Sequence, residues 1–277
     1  MLSGETDVTV APKRQTAVNE RAKINGGPPT DLAGLLDEAT GQRYAFIKGR
    51  FLLKNPRPEH PPLPCADLAD RDRLMQAIAP FADSFPSGTD QRAVLSFWSQ
   101  IYLSTLVIAT TLFWLELRLV LPVGLERLSV LLDPQTARPE GFLLQNAGQF
   151  TPQVEIEEAF EGLLHGHLDR LIPAMSKACG LSQRLLWNNA ASYLDWIVDE
   201  IGGSDRPQLT AQGRRLLDPP LRPDGSKNPL YGLVQHRIDA QTGAMQKQRR
   251  VCCLRYALPG IGGCGALCPL KHGQSSE

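Results

Sequence analysis

The chain has 277 residues, 42% of them hydrophobic and 21% charged, enough apolar material for a sizeable core in one large domain or two smaller ones. Lysine plus arginine and aspartate plus glutamate both number 29, so no overall field favours a polyanion and nucleic-acid binding is set aside. Six cysteines are too sparse for a disulfide-built scaffold, and the opening MLSGETDVTVAPKRQ lacks the apolar run of a signal peptide, so a protein of the reducing cytoplasm is expected.

Residues 1–30 are polar, end in Gly-Gly-Pro-Pro and show no hydrophobic period, which reads as a flexible arm. A mainly helical body is expected over 31–202. Within it Tyr44 to Leu53 reads as extended, Asn55 to Pro64 as a proline-rich turn, and Ala66 to Phe81 as a short helix. Val94, Trp98, Ile101, Thr105, Ala109 and Leu112 recur at three- and four-residue steps and predict a long helix closed by Pro122. From Ala93 to Leu115 this helix carries no charge and is long enough to cross a bilayer. Its Ser96, Ser99, Gln100, Ser104, Thr105, Thr110 and Thr111 favour a core helix, with association at a membrane surface as the other reading.

Two apolar runs, Leu128 to Asp133 and Gly141 to Leu144, predict a β-hairpin. After Thr151-Pro152 a helix is expected to run to Gly180, with Ile156, Phe160, Leu163, Leu164, Leu168, Leu171 and Met175 on one face. A second, packed antiparallel to it, spans Ser182 to Gly202-Gly203, with Leu186, Ala190, Tyr193, Leu194 and Ile197 as its stripe. The stretch 203–235 reads as a connection, leaving 236–277 as a cysteine-bearing C-terminal segment. The fold class is therefore α+β, mainly helical, with a small sheet and an irregular cysteine-rich tail.

Four of the six cysteines lie within 17 residues, Cys252, Cys253, Cys264 and Cys268, spaced C-C-x10-C-x3-C. Such a thiolate group suits a structural zinc ion or an iron-sulfur cluster. Adjacent cysteines diverge, which is awkward around one tetrahedral ion and natural for the two metal atoms of a [2Fe-2S] core. Zinc, disulfides and idle thiols remain the alternatives. Gly260, Gly262 and Gly263 would let backbone amides approach the core, and Pro259 and Pro269 would stiffen the bracket. Between His236 and Arg255 there are Arg237, Lys247, Arg249, Arg250 and Arg255 against Asp239 alone, a basic patch suited to an acidic electron donor or an anionic chelate.

At this motif the sequence resembles the ferric siderophore reductases of the FhuF type, whose C-terminus holds a [2Fe-2S] cluster in a C-C-x10-C-x2-C pattern. Arg249-Arg250, Cys252-Cys253-Leu254, Tyr256, Leu258-Pro259-Gly260 and Cys268-Pro269-Leu270 carry the likeness. Upstream, so do Asn228 to Gly232, Leu185 to Ala190, and Ser129 to Asp133 with the Arg138-Pro139-Glu140 turn. The resemblance spans about Leu95 to Leu270. It implies a cytoplasmic protein, or one peripheral to the inner face of the cytoplasmic membrane. Such a protein takes an electron from an external donor, a ferredoxin or a reductase, and passes it to Fe(III) in a hydroxamate-type siderophore. This chain has Gly265-Ala266-Leu267 between its last two cysteines where the family has two residues, so a bulge or a displaced fourth ligand is expected.

His167 lies beside the apolar stripe and reads as a packed core histidine, and His165 as solvated. Cys65 and Cys179 read as small buried hydrophobes, and Trp98, Trp114, Trp187 and Trp196 as core. Trp187 with Asn188 and Asn189 is the one group that could line a chelate pocket. No dinucleotide fingerprint or Walker-type loop is evident, so electrons are expected from outside. Two readings compete with the reductase: a binding module stapled by a structural metal, and an electron-transfer or redox-sensing protein without an iron substrate.

Overall fold

The computed structural model describes residues 29–238, 243 and 245–270; the expected N-terminal arm lies almost wholly outside them. Its centre is the long helix, here numbered α3, after α1 (Leu32–Thr40) and α2 (Arg71–Asp83). Helix α3 runs from Gln91 to Leu117, with Asp90 accepting the Arg92 amide as its N-cap. It stops five residues before Pro122, because Arg118 turns left-handed (φ 57) and lays its guanidinium 4.2 Å from the Trp114 ring. Of its most apolar 18-residue window 78% is buried inside the protein, as a core helix requires. Its hydroxyls are absorbed internally: Thr110 and Thr111 donate to the carbonyls of Leu106 and Val107 at 2.8 and 2.7 Å.

Against α3 packs a small sheet of order β1-β5-β4-β2, made of β1 (Phe51–Leu52), β2 (Leu63–Pro64), β4 (Leu128–Leu132) and β5 (Pro139–Leu144). The antiparallel β4–β5 pair is the expected hairpin, while β1 joins β5 in parallel through Phe51 opposite Phe142. Two short strands, β3 (Leu119–Val120) and β6 (Gln149–Phe150), pair separately. Tyr44 to Leu53 is not extended throughout. A 3₁₀ turn covers Ala45–Ile47 and Gly49 takes φ 72, leaving Phe51–Leu52 as the strand. The expected helix from Ala66 divides likewise into a 3₁₀ turn, Cys65–Ala69, and α2 capped by Asp70.

The region after Thr151 is less regular than its periodicity suggests. Helix starts at Ile156, breaks at Phe160, passes through a π turn at Leu164–Leu168 and continues as α4 (Asp169–Cys179). The π turn places His167 fully in the core, where Val123's carbonyl receives Nδ1–H at 2.8 Å. Nε2 is therefore the acceptor, and the Tyr102 hydroxyl donates to it at 2.9 Å. Burial holds the His167 pKa down at about 4, so the ring is neutral. His165 is half exposed and pairs with Asp169.

Helix α5 (Gln183–Gly202), capped by Ser182 as expected, lies chiefly against α3 rather than α4. The stretch read as a connection contains an 11-residue helix, α6 (Pro207–Leu217), with Pro207 in its first turn and Arg214 and Arg215 in its last. It packs on α5 at Gly213, where a Cβ would stand 2.3 Å from Val198 Cγ2. Arg206, just before α6, forks onto Glu116 of α3 at 2.7 and 2.8 Å. The expected C-terminal segment opens with a hairpin, β7 (Val234–Ile238) and β8 (Met245–Arg249), in register from Val234 opposite Arg249 to Ile238 opposite Met245. Trp98, Trp114 and Trp187 are core as expected, but Trp196 is 39% exposed and meets Phe46 at the surface.

Candidate metal centre

Beyond β8 the chain lies over the N-terminal half of α3 and the first turns of α5, held by side chains of both helices. Ser96 donates to the Cys253 carbonyl at 2.8 Å, and Gln100 Nε2 reaches the same oxygen at 3.5 Å. Asn188 Oδ1 accepts the Val251 amide at 2.7 Å. Asn189 donates to the Ser96 carbonyl and to Ser99 Oγ, at 3.3 and 3.0 Å, and accepts from the Arg249 guanidinium. The Asn188-Asn189 pair therefore anchors the cysteine segment, and does not line a chelate pocket. All four polar groups are buried, so each needs its partner.

The two adjacent cysteines differ in setting: Cys253 is 1% exposed and Cys252 partly exposed. Leu254 takes a left-handed conformation (φ 63), a costly one for a leucine, and so points its amide at Cys252 Sγ, 3.4 Å away. A hydrogen bond from the Cys264 thiol lowers the Cys253 pKa, helped by the Arg255 amide and by Arg249 and Arg255 nearby. The Cys264 pKa is pushed well up in return, because its proton is held by Cys253 and its sulfur also meets Cys268. Burial raises Cys252. Cys252, Cys253, Cys264 and Cys268 thus come together, with Arg255 resting over the Phe97 ring at 5.2 Å.

The extra residue between Cys264 and Cys268 forms no bulge. Gly265–Leu267 is a 3₁₀ turn that starts with Gly265 at φ 57 and closes through the Cys268 amide on the Gly265 carbonyl at 3.0 Å. Gly260 occupies a left-handed turn position behind Pro259. The amides that favour thiolate at the Cys252–Cys253 pair belong to Leu254 and Arg255, rather than to Gly260, Gly262 or Gly263.

Four thiol donors of this kind suit either a single thiophilic ion or an iron-sulfur cluster. Among the described residues no three His, Cys, Asp or Glu are arranged to hold one metal ion. The four cysteines are near enough to influence one another's ionisation, and the buried Arg249 guanidinium is near enough to act on three of them. Cys65 and Cys179 take no part: both are buried, with thiol pKa values pushed up by burial to about 12 and about 11. A cleft of about 700 Å³, bounded by Glu157, His165, Arg215 and Arg222, shares no lining residue with the cysteine segment.

Of the expected basic patch, Arg237 and Arg250 are exposed, while Arg249 is buried. Lys247 is drawn to Asp195 and Asp199 of α5, which Arg214 also binds, and His236 meets Asp195 at 2.9 Å. Asp239 lies outside the described residues.

The family model described as ferric iron reductase FhuF-like transporter matches residues 96–242, from the first turns of α3 to the β7–β8 connection, and ends before the four cysteines. A protein of Escherichia coli (strain K12) named ferric siderophore reductase is 26% identical over 189 residues, covering 66% of this chain and 67% of its own. With more than half of its length matched, the chain belongs to the ferric iron reductase FhuF-like family.

Proposed function

We propose that this chain is an iron-sulfur ferric siderophore reductase. It delivers single electrons from an external donor, a ferredoxin or a reductase, to Fe(III) in a hydroxamate-type siderophore, in the cytoplasm or at the inner face of its membrane. Fe(II) is then released for assimilation, since hard oxygen donors that grip Fe(III) hold Fe(II) far less tightly. The observation that carries this reading is the gathering of four cysteines near a buried cation, in a chain of an iron-reductase family.

Cys252, Cys253, Cys264 and Cys268 would hold a [2Fe-2S] cluster, which supplies a one-electron carrier at the protein surface. The chain's own residues do the rest. Ser96 and Gln100 fix Cys253 through its carbonyl, and Asn188 fixes the backbone two residues before it at Val251. Cys264 and Cys268 are partly exposed among open glycines, so a bulky chelate can approach closely. No acid occurs between Met245 and Leu270, and the exposed Arg237 and Arg250 favour an anionic chelate or an acidic donor protein. The burial of α3 supports a protein that reaches a membrane only at its surface.

The test is anaerobic purification with iron, acid-labile sulfide and zinc quantified, on wild type and on Cys268→Ser. About two irons and two sulfides per chain are expected in the wild type, with visible absorption that bleaches on reduction and returns when a ferric hydroxamate is added. Colourless protein containing zinc, or a reduced protein inert towards every ferric chelate, would overturn the proposal.

A further inference from the structure

Arg249 closes β8 within a run of basic residues, yet it is 3% exposed. Its guanidinium donates to Asn189 Oδ1, and its Nε faces the Val251 carbonyl at 3.4 Å. Other partly buried arginines hold carboxylates: Arg206 has Glu116, Arg214 has Asp195 and Asp199, and Arg222 has Asp169. Among the described residues no carboxylate forms an ion pair with Arg249. The ionisable groups that face it as potential anions are Cys253, Cys264 and Cys252, with the half-hidden Tyr193 phenol. A cation taken out of water without a carboxylate is costly unless another anion stands opposite it.

We propose that Arg249 is a positioning residue: the fixed, buried counter-charge of the group bound by the four thiolates, setting how readily that group takes up an electron. This rests on the cluster reading above. Each electron added deepens the negative charge beside a guanidinium that keeps its own charge across the physiological range, in surroundings that screen the attraction poorly. The place of that cation is set by the helical body. Asn189 holds it, and Asn189 is itself locked by the Ser96 carbonyl and Ser99 Oγ of α3. Arg250, the next residue, is exposed and has no such role.

The experiment is an anaerobic redox titration of full-length wild type, Arg249→Gln and Arg249→Lys, followed by visible absorption and electron paramagnetic resonance. Arg249→Gln is expected to lower the midpoint by at least a tenfold change in the one-electron equilibrium, about 59 mV, while Arg249→Lys stays within that interval of wild type. An unchanged midpoint in Arg249→Gln, or an equal fall in both variants, would overturn the proposal. If Arg249→Gln does not fold or keeps no cluster, the Arg249→Lys midpoint decides, supporting the proposal inside the interval and overturning it outside. Wild-type protein lacking iron and sulfide would instead end the functional reading, a different failure from a cluster whose potential ignores Arg249.

Discussion

The hydroxyl of Ser96 donates to the carbonyl of Cys253 at 2.8 Å, joining the first turns of the central helix to a cysteine 157 positions later. Ser96, Ser99 and Gln100, which argue against a lipid-spanning helix, here form the face on which the cysteine segment sits. Polar groups on a buried helix are tolerated only where they are bonded. Here the bonding also carries placement.

Ser96→Ala should cost about 1–2 kcal/mol of stability, because the Cys253 carbonyl would keep only the long contact to Gln100. Urea denaturation measures that loss, and if the four cysteines hold the proposed cluster, chelator challenge should strip iron faster from the variant. A variant as stable and as retentive as wild type would show that the carbonyl is satisfied in another way.

Asn189→Ala removes three hydrogen bonds at once and leaves the Arg249 guanidinium buried beside the sulfurs without its anchor. A loss of about 2–3 kcal/mol is expected, larger than for Ser96→Ala, since one of the lost bonds is made to a charge. Asn188→Ala frees only the Val251 amide and the contact to Ser192. It should fall between wild type and Asn189→Ala in the same denaturation series, and the reverse order would contradict the network.

Much of the fold is legible in the sequence because it follows local periodicity: α3, α5 and the β4–β5 hairpin stand close to where their apolar spacing puts them. Helix α6 is not, because Pro207, Gly213 and the flanking Gly, Asp and Ser residues read as punctuation. Only the packed structure shows Gly213 as a contact with Val198. The four cysteines announce themselves by crowding. Their supports do not, since Ser96, Asn188 and Asn189 find partners 60 to 157 positions away. Arg249 reads as one more surface cation because a charge run carries no sign of burial. The signals available are the polar residues Ser96, Ser99 and Gln100 near the start of a largely apolar helix and the Asn188-Asn189 pair, and neither shows its partner in the sequence.

His167 gives the core a defined acid sensitivity. Its pKa is held down at about 4 by burial against an ordinary 6.5, a loss partly offset by its bond to Val123. Above 6.5 the ring is neutral in both states. Between 6.5 and 4 the unfolded chain takes up a proton that the folded one refuses, so stability falls as pH falls, by on the order of 3 kcal/mol in total. His167→Gln should lose about 1–2 kcal/mol at pH 7 but show a flatter decline down to about pH 4. Urea midpoints across that range compare the two, and parallel curves would rule out His167 as the source of the slope.

The spacing of the last two cysteines yields a prediction about backbone rather than side chain. The turn between Cys264 and Cys268 depends on Gly265 at φ 57, and a Cβ there would meet nothing within 4 Å. Any cost of substitution is therefore conformational. Gly265→Ala should strain the turn by about 1 kcal/mol, which under the proposed cluster ligation loosens the hold of Cys268 on iron about fivefold. Gly265→Asn should retain most of the wild-type affinity, since asparagine tolerates the left-handed region. Competition against an iron chelator under anaerobic conditions measures both. If alanine and asparagine weaken retention equally, the loss comes from having a side chain at all, and the left-handed turn is not what sets the position of Cys268.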